Sequence, residues 1–243
     1  MNFLDLREPV SAWTHAVGFA LSFPATWLLW RRAQGSPGKQ FCFLVFGLGL
    51  AACYAGSTLY HGVQGDQERI AWFARLDFVG IYLLIASTYT PMAGVLLRGP
   101  WRWSTLAAVW GVAVLASSLI VAGVEFPGWL STSLYLAMGW GFLACYVEMA
   151  RIVSRRALRP VFLGGVSYSV GAVLNLLGWP AFWPGVFGAH ELFHLFVMLG
   201  SAAHYWFMLQ VIAPFEPVDR ARASGPPQRR GVKNGHTVGP GVH

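Results

Sequence analysis

Charge is scarce in this chain. Of 243 residues, 11% are Asp, Glu, Lys or Arg and 56% are hydrophobic, roughly half the charge of a typical soluble domain. That excludes an ordinary water-soluble globule and places the chain in the membrane class. Cysteine is scarce as well. Cys42, Cys53 and Cys145 are too few and too scattered for a disulfide framework or a cysteine-type zinc site, and read as small buried hydrophobes. No internal repeat stands out. The first apolar run follows Asp5, Arg7 and Glu8 and lacks a short apolar core with a small-residue cleavage site, so it does not read as a removed signal peptide.

What the chain has is long apolar runs. Seven of them, Ala12 to Trp30, Phe41 to His61, Phe78 to Leu97, Trp103 to Val121, Trp129 to Val147, Val161 to Gly178 and His190 to Ala213, are close to the ~20 residues a helix needs to cross a bilayer. The expectation is an all-α membrane protein, a seven-transmembrane-helix bundle. An N-terminal segment (residues 1–11) leads into one domain (12–213), followed by a disordered basic Pro/Gly-rich tail (214–243). Trp27, Trp30, Trp101, Trp103, Trp129, Trp179 and Trp183 sit at the run ends, as aromatic belts do. Pro91 is expected to kink the third span. Gly47, Ala51 and Ala55 form a small-residue stripe suited to close helix contact in the second.

Lys and Arg are unevenly shared between the two ends. The first, third and fifth loops and the tail carry 14 of the 17 basic residues, and Arg7, Arg69 and Arg75 are the other 3. The positive-inside rule then puts the C-terminus in the cytoplasm of a plasma (bacterial inner) membrane and the N-terminus outside. The formal charge of +7 is explained by topology and anionic lipid and needs no nucleic acid.

Against this apolar background a few polar residues are out of place, and such residues are functional candidates by default. His190 and His194 lie four apart, which on a helix puts both imidazoles on one face, about 6 Å apart along the axis, where one metal ion can take both. Ser57 and His61 repeat the spacing at the end of the second span, and Asp77 opens the third. In a seven-span protein all of these fall on one membrane face. Three neutral imidazoles leave a tetrahedral Zn2+ with an open position of the catalytic type. Asp77 is then placed to take a proton from water, with Ser57 bonding to Asp77 or a ligand. Each residue also has a duller role. His61 could be an interfacial histidine, Asp77 a helix cap or partner of Arg75, and Ser57 could bond back to its own helix.

Two further patterns overlap this one. His190-Glu191-Leu192-Phe193-His194 matches H-E-x-x-H, which would make Glu191 the base; Glu191 reads equally well as a helix-start acid favoured by the dipole. His190 and His204, 14 apart, could stack two haems, but a partner helix with a matching pair is absent. His204 lies about 15 Å beyond His194 and cannot share its ion. His204 and His15 are left as polar residues of the bundle interior.

The ordered set Glu8, Thr14-His15, Ser57-x-x-x-His61, Leu76-Asp77, Ile81-Tyr82-Leu83-Leu84-Ile85-Ala86, Tyr89-Thr90-Pro91, Tyr135-Leu136-Ala137-Met138-Gly139-Trp140 and His190-x-x-x-His194 resembles the bacterial hemolysin III family. That family belongs with the progestin and adipoQ receptors, including the adiponectin receptors, and is more distantly similar to alkaline ceramidases. The resemblance implies a seven-helix bundle holding zinc through His61, His190 and His194, with Asp77 beside the reacting water and Ser57 behind it. It also implies hydrolysis of ceramide-like amides as the activity of the eukaryotic relatives. The charge bias departs from the adiponectin receptors, which keep their zinc layer near the cytoplasm.

The leading expectation is a membrane zinc hydrolase acting on a lipid amide or ester, with membrane lipid as substrate and Asp77 and Ser57 as catalytic residues. The rivals are a non-enzymatic receptor or membrane-homeostasis protein whose zinc only clamps helices, and a hemolysin-type pore.

Overall fold

The computed structural model describes residues 6–216; the remainder of the expected tail lies outside them. Among the described residues there is no strand, and seven spans are built from eight helices. These are α1 (Pro9–Arg32), α2 (Pro37–Gly62), α3 (Gln67–Pro91), α4 (Gly99–Val121), α5 (Gly128–Trp140), α6 (Phe142–Ile152), α7 (Arg159–Leu177) and α8 (Ala189–Phe207). Proline stands at the first or second position of α1, α2, α4 and α7, where its missing N–H would have had no helical partner and its fixed φ suits the first turn.

Six spans are long and apolar enough to cross a bilayer. The seventh, α1, carries Ser11, His15 and Ser22 on its buried side and packs against α2 and α8. The helices close a ring: α2 sits between α1 and α3, α4 lies against α3, α5 touches α3 and α7, and α7 pairs with α8. Trp27, Trp101, Trp103, Trp129, Trp179 and Trp183 are all exposed, as side chains of an aromatic belt must be. The three cysteines are free and buried.

Three local features refine the sequence expectation. The third helix starts at Gln67, eleven residues before the apolar run, because the Asp66 carboxylate caps it by accepting the Arg69 N–H at 2.9 Å. Asp77 therefore stands inside the helix and caps nothing. The fifth span is broken at Gly141 into α5 and α6, and the Tyr89 hydroxyl donates to the Met138 and Gly139 carbonyls beside the break. After Pro91, which lacks the N–H for the next helical bond, α3 passes into a π turn at Met92–Leu96. A second π turn, Met208–Ile212, follows α8 and packs against the first. Both lie at the opposite end from the histidines.

Backbone contact fixes α2 against α3. A Cβ on Gly80 would stand 2.7 Å from the Cys53 Cα, and one on Gly56 2.8 Å from the Leu76 carbonyl oxygen. The approach is therefore as close as glycine permits, and it falls beside Ser57 and Asp77. In the Gly47, Ala51, Ala55 stripe, Gly47 makes the tight contact, with Thr26 of α1.

Candidate metal centre

His61 occupies the last turn of α2, and His190 and His194 the first turns of α8. The three rings converge. His190 Nε2 is 3.3 Å from His61 Nε2 and 3.1 Å from His194 Nε2, and one nitrogen from each ring lies within 4.8 Å of the others. Zn–N bonds of about 2.0–2.1 Å at tetrahedral angles separate ligand nitrogens by about 3.3–3.4 Å, so the group is close enough to hold a metal ion.

The outer nitrogens say which lone pairs face inward. His61 Nδ1 donates to Glu8 Oε2 at 2.6 Å, and His190 Nδ1 to Asn175 Oδ1 at 3.1 Å. A carboxylate and an amide oxygen accept only, so both imidazoles in their neutral form carry a lone pair on Nε2. Two lone pairs then oppose each other at 3.3 Å, an arrangement that repels when empty and is satisfied by a cation between them. The donor set fits a borderline-soft divalent metal.

Asp77 Oδ2 lies 3.8 Å from His61 Nε2. Ser57, on α2 one turn before His61, is 1% exposed, within interaction range of Asp77. It makes no hydrogen bond of good geometry, so it does not bond back to its own helix. His15 stacks on His194, ring centroids 3.9 Å apart at 27°, and neither of its nitrogens has a hydrogen-bond partner among the described residues.

Glu191 does not join the cluster. Oε2 accepts the Gly188 N–H at 2.8 Å and Oε1 the Ser11 hydroxyl at 3.3 Å, which makes it the cap of α8 and its tie to α1. His204 is set apart as well, with Nε2 donating to the Val161 carbonyl at 3.2 Å.

A cavity of about 440 Å³ runs from the histidines into the bundle. His190, His194, Asp77, Ser57 and Asn175 line the cavity at the histidine end, and Phe78, Ile81, Ile85, Met92, Phe193, Tyr168 and His204 line it further along.

Two residues bond to the outer nitrogens of the rings: Glu8, which stands first in the ordered set of motifs but without a role there, and Asn175, which the sequence reading does not single out. The signal was present, since the parity that gathers His61, Asp77 and His190 on one face puts the start of the first span and the end of the sixth there too. Gly178, in the left-handed region at φ 63°, ends α7 just beyond Asn175.

Fold and site together define a multi-pass, heptahelical membrane protein with a three-histidine cluster at one end of its bundle. The chain belongs to the Haemolysin-III related family, whose model matches residues 3–205, within the progestin and adipoQ receptor superfamily. It is 33% identical over 211 residues to Hemolysin-3 of Bacillus cereus, covering 86% of this chain and 93% of the relative. It is 31% identical over 209 residues to the Hemolysin-3 homolog of Bacillus subtilis (strain 168), covering 85% and 95%. A heptahelical transmembrane protein of Oryza sativa subsp. japonica is 28% identical over 187 residues, covering 67% of this chain and 78% of the relative.

Proposed function

We propose that His61, His190 and His194 hold a zinc ion and that the protein hydrolyses an amide or ester bond in a membrane lipid. The observation that carries this reading is the convergence of three imidazoles, two with their lone pairs turned inward, at the polar end of a largely apolar cavity. Zinc held there would supply Lewis acidity, lowering the pKa of water and polarising a carbonyl.

The chain's own residues account for the rest. The apolar wall receives the lipid tail and leaves the scissile carbonyl among the histidines. Phe162 and Leu176 of α7 line the cavity and are about half exposed, which suits sideways entry from the bilayer. Asp77 Oδ2 takes a proton from the attacking water as its oxygen bonds to the carbonyl carbon. The same carboxyl returns that proton to the leaving nitrogen or oxygen as the C–N or C–O bond breaks. Ser57, buried beside Asp77, is within reach to steady that carboxyl by turning its hydroxyl toward it. Asp77→Asn should retain the metal and abolish release of fatty acid from lipid amides or esters; turnover at the wild-type rate would remove Asp77 from the mechanism.

A structural role for zinc is the second reading, and one observation favours it. The α2 and α8 helices pack chiefly on other neighbours and meet at the histidines, so an ion bound by His61 and His190 would clamp two elements that share little other packing. This reading predicts that metal removal lowers thermal stability and that no lipid is cleaved.

A further inference from the structure

The residues just outside the first span are tied to the last turn of α2 in four ways, two through His61 and two through Tyr60. Besides the Nδ1 bond at 2.6 Å, the Glu8 backbone N–H donates to the His61 carbonyl at 2.9 Å. Arg7 Nη2 donates to the Tyr60 carbonyl at 2.6 Å, and its guanidinium lies 4.3 Å from the centre of the Tyr60 ring. Arg7 also pairs with Glu8 Oε1 at 3.4 Å. The Tyr60 and His61 carbonyls belong to the last turn of α2, where helical partners run out, so this segment serves as the cap of α2 supplied from elsewhere in the chain.

Exposure divides sharply along this contact. The His61 side chain is 1% exposed and that of Glu8 38%, so a buried metal-site ring is held by a carboxylate that water reaches. Glu8 is also the residue from which α1 starts, its carbonyl accepting the Ala12 N–H at 3.0 Å. Pro9, next in the chain, fixes the backbone direction there.

We infer that Glu8 is a positioning residue of the metal centre, and that Arg7 and Glu8 form an outer strap through which the seating of α1 sets the tautomer and aim of His61. This rests on the reading of the three histidines as a metal site. The Glu8 carboxylate keeps the proton on Nδ1 and the lone pair on Nε2 facing His190. Whatever lifts the strap frees the ring to turn and weakens the metal.

The test uses the full chain in detergent, as wild type, Glu8→Ala and Glu8→Asp. Long-range proton–nitrogen correlation on metal-free, 15N-histidine-labelled protein reads the His61 tautomer. Competition with a fluorescent chelator reads the zinc affinity. Glu8→Ala is expected to lose the Nδ1–H tautomer and to bind zinc about ten- to a hundredfold more weakly, with Glu8→Asp restoring both. An unchanged tautomer together with zinc affinity within twofold of wild type would overturn the inference. So would a Glu8→Ala protein that is less stable without metal yet binds zinc as tightly, since that is the signature of a cap alone. If the wild type binds no zinc, the metal-site reading falls by itself, and the tautomer comparison still decides whether Glu8 positions His61.

Discussion

At the scale of single residues, the two carboxylates near the histidines differ in what they are free to do. Glu191 has both oxygens engaged by Gly188 and Ser11, whereas Asp77 opens on the cavity beside Ser57, with neither oxygen taken up by another hydrogen-bond donor among the described residues. Glu191→Gln is therefore expected to leave zinc content and turnover within a few-fold of wild type. It should cost about 0.5–2 kcal/mol of stability through the weakened cap, read as a small fall in melting temperature. Abolished turnover with normal stability would return Glu191 to the role of base. The i, i+4 pairs, His190 with His194 and Ser57 with His61, were legible because helical spacing is a local property. The pairing of Glu8 with His61 and of Asn175 with His190 was not, because the partners lie 53 and 15 residues apart and no local pattern joins them.

At the scale of elements, hydropathy finds the part of a helix that lies in lipid and not the helix itself. The third span shows the difference: Glu68, Arg69, Arg75 and Asp77 end the apolar run, yet the helix continues back to the Asp66 cap. The break at Gly141 was equally hidden, since it lies beside tertiary contacts such as that of Tyr89 with the Met138 carbonyl, whereas the disturbance that ends α3 was marked in the sequence by Pro91. The contact between α2 and α3 leads to a prediction. Gly80→Ala places a methyl 2.7 Å from the Cys53 Cα, so the helices must part. A loss of about 1–3 kcal/mol is expected, measured by thermal unfolding in detergent, with a further loss of zinc affinity because Asp77 and His61 sit on the displaced elements. Unchanged stability would mean that α2 and α3 are not locked there.

At the scale of the whole molecule, the apolar runs made the bundle legible, and the family match to residues 3–205 agrees with it. The charge bias, 14 basic residues at one end against 3 at the other, supports an orientation with the histidine end outside. A membrane-impermeant maleimide applied to whole cells should then label Gln67→Cys, at the histidine end, and reach Ser154→Cys only after lysis. The reverse pattern would turn the protein over. The pore activity suggested by the relatives' names would need a continuous aqueous passage, and the cavity is walled by Phe78, Ile81, Ile85 and Met92; purified protein in liposomes is expected to release no trapped dye. The most direct test of the central claim is metal content by plasma mass spectrometry on detergent-purified protein, wild type beside the double variant His190→Ala/His194→Ala. Close to one zinc per chain, lost in the double variant, is the predicted result. A wild type that stays metal-free after purification without chelator and resupply with zinc would contradict it.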